Sequence, residues 1–129
     1  MFYPYKWQNQ SEPWELQPAK SGLTLEPGVA LALSGGMLQK ATGATAPTHI
    51  CMEQVTTNVA GQMIHVERVR PETEYETELS VASASIAVGN KYTLDTAGEK
   101  ITATTDSGVA TVTSFDGTAA GDKVRVRFL

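Results

Sequence analysis

The amino-acid sequence predicts an all-β protein: a small compact β-barrel or sandwich with an extended N-terminal arm. Three observations predict it. From residue 21 onward, short runs with period-two apolar alternation are separated by Gly, Pro, Asn and Asp turn signals. One order of elements occurs twice along the chain. The first twenty residues stand apart, with Pro4, Pro13 and Pro18 set among Gln, Asn and Ser.

The arm comes first, at residues 1–20. Proline fixes φ and lacks a backbone donor, so this stretch is expected to run neither as a long helix nor as a central strand. Yet it holds Phe2, Tyr3, Tyr5, Trp7 and Trp14, five of the nine aromatic residues of the chain. Solvated tails are normally poor in aromatics. The arm is therefore expected to lie on another surface, with these five side chains as partner-binding anchors. Tyr3, Tyr5 and Trp7 have the spacing of one strand face.

The β domain follows over residues 21–129. Leu23-Thr24-Leu25 precedes a Pro27-Gly28 turn, and Val29, Leu31 and Leu33 then alternate with Ala30 and Ala32. Ser34-Gly35-Gly36 turns the chain back into a strand over Met37 to Thr42. After a small-residue loop, Thr48 to Val55 reads as a strand with Ile50 and Met52 on one face and His49, Cys51 and Glu53 on the other. Gln62 to Val69 reads as the next, with Ile64 and Val66 opposite His65 and Glu67. Ser80 to Ala87 is Ala-rich, but its Val and Ile argue against helix.

The second half repeats the first. Gly28 through Leu33 matches Gly89 through Leu94, each followed by a turn. Leu38 to Thr42 matches Ile101 to Thr105, and His49 to Met52 corresponds to Thr111 to Ser114. Gly61 to Val66 matches Gly121 to Val126. The expected copies are residues 28–69 and 89–128, each a four-strand module. Two copies are too few for a solenoid, so they are expected to close on each other.

Between the copies, Glu72, Glu74, Glu76 and Glu78 recur at period two and place four carboxylates on one strand face. At the C-terminus Lys123, Arg125 and Arg127 alternate with Val124, Val126 and Phe128, a basic stripe backed by core. Opposite charges on neighbouring strands attract by roughly 0.2–1 kcal/mol per pair. The two stripes are candidates for pairing within one chain or between subunits.

Composition narrows the function. The net charge is −4 and the pI about 5.1, against nucleic acid as a partner. No apolar run is long enough to span a bilayer, and the N-terminus lacks the layout of a secretory signal. One cysteine, Cys51, permits no internal disulfide, which suits a product made in a reducing cytoplasm. His49, Cys51 and His65 are too few for a structural zinc site, and a regular Glu ladder does not converge as a Ca²⁺ loop does. Phosphate-binding and nucleophile-elbow motifs are absent. No catalytic residue, metal or cofactor is expected.

The aromatic arm, the Pro27-Gly28 turn with Val29-Ala30-Leu31-Ala32-Leu33, the Met37-Leu38-Gln39-Lys40-Ala41-Thr42 run and the Ile50-Cys51-Met52 segment resemble the head decoration proteins of tailed phages, the class of the lambda decoration protein. The stretches Thr104 to Ala110 and Asp116 to Phe128 resemble prophage-encoded proteins of similar size. The resemblance covers most of the chain in pattern. It implies a virion protein on the outer capsid surface, made in the host cytoplasm. It further implies the major capsid protein as partner, a homotrimer on the capsid, and no membrane contact. The alternative within the virion is a head-fibre base, tail-tube or connector protein.

Overall fold

The computed structural model describes residues 1–6 and 13–129. The described residues contain strands, turns and no helix. Twelve strands form three sheets. They are β1 (Tyr3–Lys6), β2 (Trp14–Ala19), β3 (Thr24–Leu25), β4 (Ala30–Ser34), β5 (Met37–Lys40) and β6 (His49–Cys51). Then come β7 (Val55–Thr56), β8 (Gln62–Arg68), β9 (Glu74–Glu78), β10 (Lys91–Tyr92), β11 (Ala110–Phe115) and β12 (Lys123–Arg127). Strands β2-β5-β4-β6-β8 close into a barrel, β1-β9-β12-β11-β10 form a five-stranded sheet, and β3 pairs with β7.

These sheets are two copies of one module. Strand β2 faces β8 with Glu15 opposite Val66, Leu16 opposite His65, Gln17 opposite Ile64 and Pro18 opposite Met63. Strand β9 faces β12 with Tyr75 opposite Val126, Glu76 opposite Arg125, Thr77 opposite Val124 and Glu78 opposite Lys123. Every residue in the second set stands 60 positions after its counterpart in the first. Isolated hydrogen bonds recur in the same places, with an offset of 60 positions at the first strand and 63 at Leu38 and Ile101. Lys20 N–H donates to Leu38 O at 2.9 Å and Ser80 N–H to Ile101 O at 2.9 Å. Gly61 donates to Ala19 at 2.9 Å and Gly121 to Leu79 at 2.8 Å. Ala19 pairs in parallel with Leu38, and Leu79 bridges in parallel to Ile101. Module 1 therefore runs from Trp14 to Arg68 and module 2 from Glu74 to Arg127. Both start before the sequence pattern suggests, with β2 and β3 ahead of residue 28 and β9 ahead of residue 89.

Side-chain alternation explains how the modules meet. In β4 and its lead-in, Val29 and Leu31 point into the module 1 core with Leu25, Leu38, Cys51, Ile64 and Val66. Ala30 and Ala32, on the other face, join Ile50 in a second core with Tyr75, Tyr92, Leu94, Val112, Val124 and Val126. A strand buried on both faces carries apolar residues throughout, and small alanines on the shared side let the modules approach closely. Backbone bonds seal the contact. Gly43 and Leu94 exchange bonds of 3.0 and 2.9 Å, and Ala30 N–H donates to Gly98 O at 2.8 Å. Gly98 has φ +68°, and a Cβ there would meet Ala41 O at 2.8 Å.

The arm expected over residues 1–20 requires correction. Phe2 is fully buried, its ring edge-on to Phe128 at 5.2 Å, so it is core and not a partner anchor. Its N–H donates to Gly28 O at 2.7 Å, and β1 pairs antiparallel with β9. Strand β2 is a barrel strand, with Pro18 inside it. Ala19 O accepts from the β8 side and Lys20 N–H points to Leu38 on the opposite side. Successive residues alternate sides, so the nitrogen of Pro18 faces away from β8 and its missing donor costs the ladder nothing.

Candidate functional site

Among the described residues, β2 and β8 together expose three large apolar side chains. Trp14 (62% exposed) and Leu16 (50%) lie on the outer face of β2, and Met63 (52%) lies beside them on β8. His65, opposite Leu16, holds its ring 6.5 Å from that of Trp14. Glu53 fixes His65 from below: its carboxylate accepts the His65 backbone N–H at 2.9 Å and also bonds the ring Nδ1. The inner side of the same strands is mainly the apolar core of Ala19, Ile64 and Val66, with a polar group around Glu15. Thr48 Oγ1 bonds His49 Nδ1 at 2.9 Å, and His49 Nε2 bonds Glu15 Oε1 at 3.1 Å. Arg68 reaches the other Glu15 oxygen at 3.3 Å.

These groups set one another's titration. Burial holds His49 below its ordinary value near 6.5, and the bond to Glu15 offsets only part of that. Partial burial raises the Glu15 carboxyl, but the Arg68 charge and the His49 hydrogen bond outweigh it, and the net shift is downward. At neutral pH, His49 is thus a neutral donor to an ionised Glu15. The group braces β2 against β6 and β8 beneath the apolar face.

The matching face of module 2 is charged instead. Lys123 bonds Glu78 at 3.0 Å, and Arg125 bonds Glu76 at 3.1 Å. Arg125 also forms a two-pronged contact with Asp116 at 2.7 and 3.2 Å. The Lys123 hydrogen bond lowers Glu78, and that from Arg125 lowers Asp116. Of the two pairings open to these stripes, Glu76, Glu78, Lys123 and Arg125 take the one within a single chain, on adjacent strands. Glu72 lies in the turn before β9, so the strand face carries three carboxylates and not four. Glu74 is buried, bonded by the Thr113 hydroxyl, with Lys6 at 4.0 Å. Among the described residues Arg127 makes no ion pair, and its Nε is buried without a hydrogen bond.

The expected anchors therefore divide. Phe2 is internal. Tyr3 and Tyr5 are exposed on β1, with the Tyr5 ring 5.1 Å from the Arg125 guanidinium. Trp14 is exposed on β2, and Trp7 lies outside the described residues. The sequence does not single out Leu16 or Met63, and it offers His65 only as a candidate ligand, not as part of a binding face. The period-two spacing of Trp14 and Leu16 carries a signal, but their neighbours on β8 depend on a register set only by tertiary pairing.

Cys51 is a buried thiol pushed up by burial, and His65 lies on the opposite side of β8 from the module 1 core that holds it. Among the described residues no group of three or more His, Cys, Asp or Glu could hold a metal ion. A cleft of about 290 Å³ at the end of β1 is lined by Tyr3, Glu76, Glu78, Lys100 and Lys123. There Glu78 is held by both lysines, at 3.5 and 3.0 Å, so its charges are spent on one another. Compared with known protein families and with curated proteins, the chain matches none.

Proposed function

We propose that this chain is a structural protein of a tailed-phage head, binding the outer capsid surface and stabilising it. The observation that carries this reading is the face of Trp14, Leu16 and Met63, an apolar patch on a rigid barrel. A large aromatic left half-exposed beside two aliphatic side chains is the composition of a protein-binding surface. Trp is the residue type most often found at the energetic centre of such contacts. The resemblance to head decoration proteins supplies the partner, the major capsid protein, and a trimer seated on a capsid three-fold position.

Removing residues 1–19 cannot test this, because it deletes β1, β2 and the buried Phe2. The test is co-sedimentation of the purified protein with assembled heads and, separately, with tails of the parent phage. Saturable binding to heads is expected. A folded Trp14→Ser, Leu16→Ser variant should stay in the supernatant. Failure of the wild-type protein to bind heads overturns the reading, and binding to tails or connectors assigns it elsewhere in the virion.

A further inference from the structure

The two modules are alike in register but not in what covers their edges. In module 2, the side of β9 that faces away from β12 is filled by β1, with Tyr3 opposite Glu76, Pro4 opposite Tyr75 and Lys6 opposite Glu74. The positions equivalent to Glu76 and Glu74 in module 1 are Leu16 and Trp14. The direction of their backbone groups follows from the bonds already given. Leu79 N–H donates to Asp122 O, on the β12 side, so Glu74 and Glu76 direct their N–H and C=O groups towards β1. By the same alternation Trp14 and Leu16 direct theirs away from β8. Among the described residues β2 pairs on that side only at Ala19, with Leu38.

We propose that the edge of β2 at Trp14 and Leu16 takes an added antiparallel strand from an extended segment of the capsid protein, as the equivalent edge of β9 takes β1. This rests on the capsid-binding reading above and names its site. An exposed edge is normally guarded by charge, Pro or a cover. Pro18 guards one end of β2, but Trp14 and Leu16 present backbone donors beside apolar side chains. The filled edge shows how the occupant is matched. Facing the carboxylate of Glu74, β1 brings Lys6. Facing Trp14 and Leu16, the occupant must bring aliphatic or aromatic side chains at alternate positions.

A second copy of this chain fits less well. Pairing β2 with another β2, in the register that engages both edge residues of both copies, sets Glu15 directly opposite Glu15. Like charges opposed across strands are destabilising. The occupant is therefore a different polypeptide.

The test compares Leu16→Pro with Leu16→Ala in binding to assembled heads. Leu16→Pro removes the edge donor and leaves the β8 ladder intact, as Pro18 does two residues on. Leu16→Ala keeps the donor and shortens the side chain. Leu16→Pro is expected to bind about tenfold or more weakly than Leu16→Ala, the loss expected for a backbone donor left unpaired at a dry contact. In the wild-type protein, exchange of the Trp14 and Leu16 amides should slow by at least about tenfold on head binding, a readout that does not require the proline variant to fold. Wild-type binding with equal affinities of the two variants, or with no new amide protection, overturns this assignment while the capsid reading stands. No wild-type binding overturns the capsid reading itself. A concentration-dependent dimer abolished by Leu16→Pro gives the edge to a second copy and overturns the choice of occupant.

Discussion

Replacing Phe2 with Ala separates a structural role for the N-terminal residues from a role as a docking arm. The ring is fully buried, edge-on to Phe128 at 5.2 Å, and Phe128 in turn lies 5.4 Å from Tyr75. Truncation removes the transfer free energy of the ring, about 2–3 kcal/mol. The edge contact adds roughly 0.5–1.5 kcal/mol. A cavity between two rigid modules collapses only in part, which adds a further ~1 kcal/mol. The expected loss is about 4 kcal/mol. With a urea slope of roughly 2 kcal/mol/M for a chain of this size, the midpoint should fall by about 2 M. The assay is equilibrium urea unfolding followed by tryptophan fluorescence and far-ultraviolet circular dichroism. A loss under about 1 kcal/mol, with head binding abolished, would refute the reasoning and restore Phe2 as a partner anchor.

Gly98→Ala should destabilise by about 2–4 kcal/mol in thermal unfolding, because a Cβ at φ +68° would also press on Ala41 O where the modules meet. Trp14→Ser should change stability by less than about 0.5 kcal/mol, as expected for a surface position, yet remove most head binding. Lowering the pH below about 6.5 should destabilise the protein, because the unfolded state protonates His49 at a pH where the buried ring stays neutral. His49→Gln should flatten that slope until the pH reaches the carboxylate range. There, protonation of Glu15 and Glu78, both lowered in the fold, brings a second loss as pH falls through their folded values.

Much of the fold was legible because β-sheet alternation is a local property. The glycine, strand, turn, strand order marked both copies, and the small alanines at 30 and 32 sat in plain view. The first strand of each copy was not legible. Trp14-Glu15-Leu16-Gln17-Pro18-Ala19 and Glu74-Tyr75-Glu76-Thr77-Glu78-Leu79 share no residue at any equivalent position; they share only a place in the hydrogen-bond ladder. Pro18 argued against a strand because proline removes a donor, but which side of the strand loses it depends on tertiary pairing. Phe2 was grouped with Tyr3 and Tyr5 by composition, whereas alternation along β1 sends it to the core and them to solvent. The charge stripes could be read from spacing, yet their pairing within one chain required β9 and β12 to be neighbours. The apolar site was half visible: Trp14 stood out, while Met63 and His65 joined it only through the register of β2 on β8.

Of the two equivalent edges, that of β9 is filled by β1, and that of β2 is open at Trp14 and Leu16 among the described residues. Residue-resolved amide exchange of the protein alone compares them directly. The amides of Glu74 and Glu76, held by β1, should exchange slowly, and those of Trp14 and Leu16 should exchange at close to the rate of an unstructured chain. Equal protection at both edges would contradict the account, because the edge of β2 would then already be covered.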